Sequence, residues 1–126
     1  MMGENTKVVQ QAYDAFGRGD IGALLALLDD DVQWSSPKTL PHGGEFAGRS
    51  GVGNFFAGIG ANWTNLAVAV ESVGDLGGDT VVGVVRADGT RTSGKKDGYG
   101  AVHVFTVDNG KITRFREYTD LDAPHV

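Results

Sequence analysis

The chain has 126 residues, of which 40% are hydrophobic, and its formal net charge is −5. This length predicts a single domain over residues 1–126 with one hydrophobic core. Nucleic-acid binding requires a basic surface, and the net negative charge of the chain argues against one. We therefore expect no nucleic-acid partner. No apolar run approaches the roughly 18 residues of a membrane span, and the first residues lack the apolar stretch of a signal peptide. We therefore expect a cytoplasmic protein with no membrane partner.

The residue types and their spacing also argue against a metal or cofactor site. The chain has no cysteine, which excludes a disulfide framework and thiolate-bound zinc. Its three histidines, His42, His103 and His125, show no spacing typical of a metal site. Glycine is abundant, but its positions mark turns and form no phosphate-binding loop. We expect neither metal nor cofactor.

The first half of the chain has the periodicity of helices. Apolar residues recur at helical spacing over about residues 4–17, and Asp20 is the predicted N-cap of a second helix over residues 21–28. A short strand is predicted over residues 32–36. Ser50 is then predicted to cap a third helix.

From residue 66 onward the apolar residues alternate, which predicts strands. The four predicted strands cover residues 66–73, 80–87, 99–107 and 112–120. The Asn109-Gly110 dipeptide predicts a tight hairpin turn between the last two strands, because both residues tolerate positive φ. Three helices followed by such a meander predict an α+β fold with the helices on one side of an antiparallel sheet.

Two ionisable side chains interrupt the apolar faces of the last two strands. His103 shares a face with Phe105, and Glu117 shares a face with Phe115. If a turn of about three residues with a bulge brings these faces together, an imidazole and a carboxylate meet in an apolar interior. An inward carboxylate is unstable unless it is paired or protonated, so His103 is its expected partner. A register shifted by one residue would instead turn Arg116 inward and Glu117 to the surface.

Two stretches of the chain are similar to the sequences of a known family. QQAYDAFGRGDIGALLALLDDDVQW, residues 10–34, resembles the opening of the nuclear transport factor 2-like superfamily, and AVHVFTVDNGKITRFREYTD, residues 101–120, resembles the closing hairpin of its SnoaL-like, ketosteroid-isomerase-related bacterial members. The resemblance implies a cone-shaped α+β fold, in which three helices pack on a strongly curved antiparallel sheet around a pocket. It also implies a small-molecule-binding domain, because the superfamily hosts isomerases, dehydratases, cyclases and noncatalytic binding domains.

The resemblance further implies roles for single residues. Tyr13 matches the tyrosine that donates a hydrogen bond to the substrate oxyanion in ketosteroid isomerases. Ser36 and His103 stand where those isomerases have two aspartates, so steroid isomerisation is not expected. His103 with Glu117 matches instead the histidine and acidic residue of polyketide cyclases, with glutamate in place of aspartate. We therefore predict that His103, Glu117 and Tyr13 are catalytic, the first two as acid and base and the tyrosine as donor to an enolate oxygen.

The remaining candidates are expected to contact a small apolar ligand. The predicted substrate-binding residues are Trp34, Ser36, His42, Phe55, Phe105 and Asp120. Large aromatic side chains are typical pocket walls, and the resemblance places the loop that carries His42 near the pocket mouth. His42 has the alternative of a solvated loop histidine, and Asp120 has the alternative of holding an arginine or a helix end.

Two functions stay open on the sequence. One is a cofactor-free enzyme that abstracts a proton next to a carbonyl, which suits isomerisation, cyclisation or dehydration. The alternative is a noncatalytic ligand-binding or dimerisation module, in which His103 and Glu117 form a structural pair. A pocket of a few hundred Å³ that exposes the pair would favour the enzyme, and a filled cone would favour the module.

The sheet face turned away from the helices is expected to be apolar. Val81, Val85, Val102 and Val104 are predicted to lie on it. A face with that much β-branched surface is usually covered, and a second copy of the chain is the expected cover. The sequence therefore predicts a homodimer.

Overall fold

The computed structural model of the chain describes residues 2–122, so His125 and the ends of the predicted 1–126 domain lie outside the described residues. The described helices are α1 (Met2–Gly17), α2 (Ile21–Leu25) and α3 (Gly48–Asn62). The strands are β1 (Leu28–Ser36), β2 (Gly44–Ala47), β3 (Trp63–Gly77), β4 (Thr80–Arg91), β5 (Lys96–Asp108) and β6 (Lys111–Thr119), followed by a 3-10 turn, Asp120–Asp122. No helix within residues 2–122 is both long enough and apolar enough to cross a membrane.

The six strands form one curved, unclosed sheet in the order β2-β1-β6-β5-β4-β3, with the helices packed on it. The predicted α+β architecture is confirmed. The prediction of an antiparallel sheet needs one correction, because β1 runs parallel to β6 while all other neighbours are antiparallel. This arrangement places β5 and β6, which carry His103 and Glu117, in the middle of the sheet.

The second helix is shorter than predicted and the strand after it is longer. Asp20 caps α2 as expected, since its carboxylate accepts a hydrogen bond from the backbone N–H of Ala23 at 3.0 Å. The helix ends at Leu25, however, and β1 begins at Leu28. Leu28 is fully buried and pairs with Ile112 of β6. Tertiary pairing with β6 therefore outweighs the local helical pattern over the last residues of the predicted helix.

The start of the third helix differs from the prediction. Helix α3 begins at Gly48 with Ala47 at its N-cap, and no side chain caps it, so Ser50 is not the cap. Strand β2, which was not predicted, ends directly before the helix. Gly48 has a φ of +74°, which favours glycine and allows the abrupt change from strand to helix.

The hairpin turn at Asn109-Gly110 is confirmed. Both residues have positive φ, 51° and 77°, and the turn joins Asp108 to Lys111. The loop thus has two residues, where about three were expected. The bulge of the hairpin lies beyond the turn, where the pairing of β5 with β6 shifts by one residue at Thr113.

This bulge decides which side chain faces His103. Val107 pairs with Ile112, but Thr106 pairs with Arg114, so Thr113 is the extra residue of β6. Beyond it, His103 pairs with Glu117. Without the extra residue, continuation of the turn register would have placed Arg116 opposite His103.

Two of the four valines predicted for the outer face lie inside. Val81 and Val85 are fully buried in the core, because they pair with the inward-facing Phe105 and Ala101 of β5. Val102 is 37% exposed and, with its half-buried neighbour Val104, lies on the face away from the helices as predicted. The outer face carries in addition two valines of β4 that pair with these residues, Val82 and Val84.

Candidate functional site

A cavity of about 70 Å³ lies between α1, α3 and the concave face of the sheet. Its buried wall includes Trp34, His42, Phe55, Tyr99, His103, Phe105, Phe115 and Glu117. Its half-buried rim includes Tyr13, Phe16, Phe56, Ile59, Leu66 and Val68. The wall is thus mainly aromatic, and its few polar groups stand out.

The structure brings His103 and Glu117 together in that wall. Nε2 of His103 lies 2.8 Å from Oε2 of Glu117, and the two side chains are only 8% and 6% exposed. The other carboxylate oxygen accepts a hydrogen bond from Oγ of Ser36 at 2.6 Å. Burial alone would raise the pKa of Glu117, but the hydrogen bond and charge of His103 and the hydroxyl of Ser36 outweigh it, so the pKa lies below 4.5.

Tyr13 completes the chain of hydrogen bonds from the opposite side. Its hydroxyl lies 2.8 Å from Nδ1 of His103. Burial, and then the negative charge of Glu117, raise the pKa of Tyr13, so the hydroxyl stays protonated at neutral pH. In the neutral imidazole, Nε2–H donates to the ionised Glu117, and Nδ1 therefore accepts from Tyr13.

Gly83 makes room for this hydrogen bond and was not predicted as part of the site. It pairs with His103 across β4 and β5. A Cβ at this position would collide with the hydroxyl of Tyr13. The φ of Gly83 is not positive, so the backbone does not require glycine there, and the space above it is the reason. The sequence signal is a lone glycine inside the valine-rich run of residues 81–85, because glycine in a strand marks a close approach.

His42 is a further polar residue of the cavity wall, and it lies in the loop between β1 and β2. It is buried, so the alternative of a solvated loop histidine does not apply. Nε1 of Trp63 donates to Nδ1 of His42 at 3.1 Å. Burial lowers the pKa of His42; the charge of Glu117 acts against this and that of Arg91 adds to it. Because the indole N–H can only donate, the proton of the neutral imidazole is on Nε2.

Tyr99 is a third polar group that the sequence analysis missed. It lies on the same face of β5 as His103, four residues away, and it is buried in the cavity wall. Burial first, and then the charges of Glu117 and Asp97, raise its pKa, so its hydroxyl is protonated. The signal was present, because the alternation that turns His103 inward also turns Tyr99 inward.

Two predicted ligand contacts are not brought to the cavity. Ser36 is buried behind Glu117 and does not line the cavity. Asp120 is exposed at the end of β6 and lies outside the lining. Among residues 2–122, no three histidine, aspartate or glutamate side chains form a group that could hold a metal ion.

Comparison with known proteins places this geometry in a family. The family model described as a SnoaL-like domain matches residues 9–115. No curated protein matches the chain. Many solved structures do. An NTF2-like protein from Burkholderia thailandensis is 31% identical, with a TM-score of 0.85 over 92% of this chain and 90% of the other.

Two further structures are complexes. TerC, co-crystallised with polyporic acid, is 26% identical, with a TM-score of 0.84 over 94% of this chain and 92% of TerC. Rv0760c from Mycobacterium tuberculosis, in complex with estradiol-17β-hemisuccinate, is also 26% identical, with a TM-score of 0.78 over 94% of this chain and 95% of the other. From the family match and the shared architecture we conclude that the chain belongs to the SnoaL-like domain family of the NTF2-like superfamily.

Proposed function

We propose that the protein binds a small apolar carbonyl compound and moves a proton on it, as a cofactor-free isomerase, cyclase or dehydratase. The observation that carries this proposal is the unbroken hydrogen-bonded chain from Ser36 through Glu117 and His103 to Tyr13. The chain ends at a cavity whose wall is mainly aromatic. In such a chain His103 can accept a proton beside the negative charge of Glu117. Acid/base chemistry near neutral pH needs a group of this kind.

The hydrogen bonds that are already formed indicate which group of the chain contacts the ligand. Both carboxylate oxygens of Glu117 and both ring nitrogens of His103 have partners, so the hydroxyl of Tyr13 is the group of the chain that contacts the ligand. As the carbon next to the ligand carbonyl loses its proton, the oxygen of Tyr13 receives it and the tyrosine's own proton moves to Nδ1 of His103. Glu117 then stabilises the imidazolium.

The same chain can also stabilise the product of that step. Once His103 carries two N–H groups, Nδ1–H donates to the oxygen of Tyr13, and the hydroxyl proton of Tyr13 is free to donate to the enolate oxygen of the ligand. This hydrogen bond forms only after negative charge has developed on the ligand oxygen, so it stabilises the enolate relative to the bound substrate.

The complexes of similar proteins support a small organic ligand, and the cavity sets a condition for it. A volume of about 70 Å³ holds water molecules but not a ring system, since ligand pockets usually measure about 300–1,000 Å³. The half-buried rim at Phe56, Ile59 and Leu66 must therefore move when a ligand enters.

A second candidate function is noncatalytic binding. It is favoured by the small volume of the cavity and by the complete hydrogen bonding of the buried pair His103 and Glu117, which is what a structural pair would show. Turnover separates the two candidates.

Acetylnaphthalene is a suitable probe because it is apolar and has exchangeable protons next to its carbonyl. Binding is measured as quenching of the fluorescence of Trp34 and Trp63, the two tryptophans of the chain. Catalysis is measured by NMR as exchange of the acetyl protons with deuterated water. If the protein is an enzyme, we expect the wild type to bind the ketone and to exchange its protons. Tyr13→Phe should then lose the exchange. Tyr118→Phe should behave as the wild type, because this ring is exposed on the outer face. Binding without exchange identifies the noncatalytic module.

The homodimer is part of the same proposal, as is the cytoplasmic location. Val70, Val84 and Val102 remain exposed on the sheet, and β-branched side chains exposed in this way are usually covered. Val84→Asp is expected to give a monomer in sedimentation at micromolar concentration, while Leu76→Asp, at the exposed tip of β3, leaves the dimer intact. A monomeric wild type contradicts the proposal.

A further inference from the structure

We propose that His42 and Tyr99 form an acceptor-binding subsite, in which Nε2–H of His42 and O–H of Tyr99 donate hydrogen bonds to oxygen of the ligand. The inference rests on the proposed function, because it concerns the same cavity. It adds a requirement on the ligand, which must carry a carbonyl, ether or hydroxyl oxygen away from the carbon that loses its proton.

Two unused donors carry the inference. The hydrogen bond from Trp63 occupies Nδ1 of His42 and leaves Nε2–H without an acceptor among residues 2–122. The hydroxyl of Tyr99 likewise makes no hydrogen bond to any part of the chain that the structure describes. A buried donor without a partner is costly, so such groups normally meet a ligand or water.

Both donors are accessible, which distinguishes them from donors that are merely enclosed. The fully enclosed unpartnered atoms within residues 2–122 are Nε1 of Trp34 and Nε of Arg116. Neither Nε2 of His42 nor the hydroxyl of Tyr99 belongs to that set, so both contact open space. The cavity is the space that His42 and Tyr99 share as lining residues.

The position of Tyr99 along β5 places it away from His103, at which the hydrogen-bonded chain meets the cavity. Tyr99 and His103 lie on one face of β5, about 13 Å apart along the strand, with the small side chain of Ala101 between them. A ligand that touches both ends is therefore elongated, with oxygens near opposite ends of an apolar body. A neutral ligand fits best, because Glu117 already places a negative charge in the wall and, among the described residues, no lysine or arginine lines the cavity.

A matched pair of ketones tests the subsite. Acetylnaphthalene has one carbonyl, and diacetylnaphthalene has a second at the opposite end of the same ring system. The wild type is expected to bind the diketone about fivefold more tightly, which is the typical effect of one neutral hydrogen bond. Tyr99→Phe should reduce this preference to less than about twofold while leaving the affinity for acetylnaphthalene unchanged. Tyr118→Phe, the matched control, should keep the preference.

The other outcomes would contradict either the subsite or the proposed function. A preference for the diketone that survives in Tyr99→Phe, or its absence in the wild type, overturns the subsite and leaves the proposed function standing. An equal loss of affinity for both ketones in Tyr99→Phe also overturns it, because Tyr99 would then act through packing. If neither ketone binds the wild type, the proposed function fails and the subsite fails with it.

Discussion

The two histidines in the cavity wall are both buried, but they have different hydrogen-bond partners. His103 lies beside the carboxylate of Glu117 and is hydrogen-bonded at both ring nitrogens. Within residues 2–122, His42 accepts a hydrogen bond from the indole N–H of Trp63 alone, and burial holds its pKa below 6.5. The imidazole of His103 thus lies next to a carboxylate, whereas the neutral imidazole of His42 has an N–H without an acceptor among residues 2–122.

The partners of the two histidines differ because different parts of the fold supply them. His103 and Glu117 face each other because neighbouring central strands hold them in register. His42 follows β1 in a loop, and its neighbour Trp63 begins β3. The indole offers no charge to stabilise an imidazolium, so desolvation decides the protonation of His42.

The largest expected effect is the loss of stability in His103→Ala. It leaves the buried carboxylate of Glu117 without its partner and should cost about 3–5 kcal/mol of unfolding free energy. His42→Ala leaves only a neutral indole N–H unpaired and should cost about 1–3 kcal/mol. Urea denaturation of both variants gives the comparison. Adding Glu117→Gln to His103→Ala should restore much of the loss, and equal costs at the two histidines would contradict the contrast.

Gly83→Ala is expected to cost about 1–3 kcal/mol, because its Cβ forces Tyr13 away from His103. Gly74→Ala is the matched control, since a Cβ at that position in β3 meets nothing within 4 Å. In a Tyr13→Phe background the cost at Gly83 should fall, because the hydroxyl is gone. If Gly83→Ala and Gly74→Ala unfold alike, Gly83 does not position Tyr13.

Glu117→Gln should change the unfolding free energy by no more than about 1–2 kcal/mol in either direction, because the amide keeps the shape and can still hydrogen-bond. Its proton exchange on acetylnaphthalene should nevertheless fall, since the imidazolium of His103 loses its counter-charge. Full exchange activity in both Glu117→Gln and His103→Ala would eliminate the pair as the proton store.

The acid limb of stability should depend on Glu117. The pKa of its carboxyl is lower in the folded than in the unfolded protein, so the unfolded state binds more protons and stability falls as the pH drops below 4.5. In Glu117→Gln this part of the decline should be absent. Unfolding midpoints in urea, measured from neutral pH downward, give the result, and an unchanged acid limb would contradict it.

The smallest contrast is expected at alkaline pH, where the two ends of the cavity behave alike. Burial raises the pKa of both Tyr13 and Tyr99 above 10.0, so the folded state binds more protons and stability falls as the pH rises past that value. Tyr13→Phe and Tyr99→Phe should each weaken this decline, as measured by urea denaturation on either side of pH 10.0. If neither variant weakens the decline, the burial of these two hydroxyls does not raise their pKa as stated.

The sequence by itself determined the α+β class and several residues of the cavity wall. Helical and alternating periods are local properties of the chain, so they located the helices, the last four strands and the turn at Asn109-Gly110. Alternation alone also put His103 and Phe105 on one face. The same reasoning would have added Tyr99 had it been continued along β5.

Tertiary structure decided the rest, because the deciding contacts join distant parts of the chain. Ile112 and Phe115 are three residues apart and both buried, which a regular strand does not allow, so β6 bulges at Thr113. That single extra residue turns Glu117 toward His103. The burial of His42 against a residue of β3 and the collision that a side chain at position 83 would cause with Tyr13 likewise exist only after folding, since no local pattern encodes the distance between them.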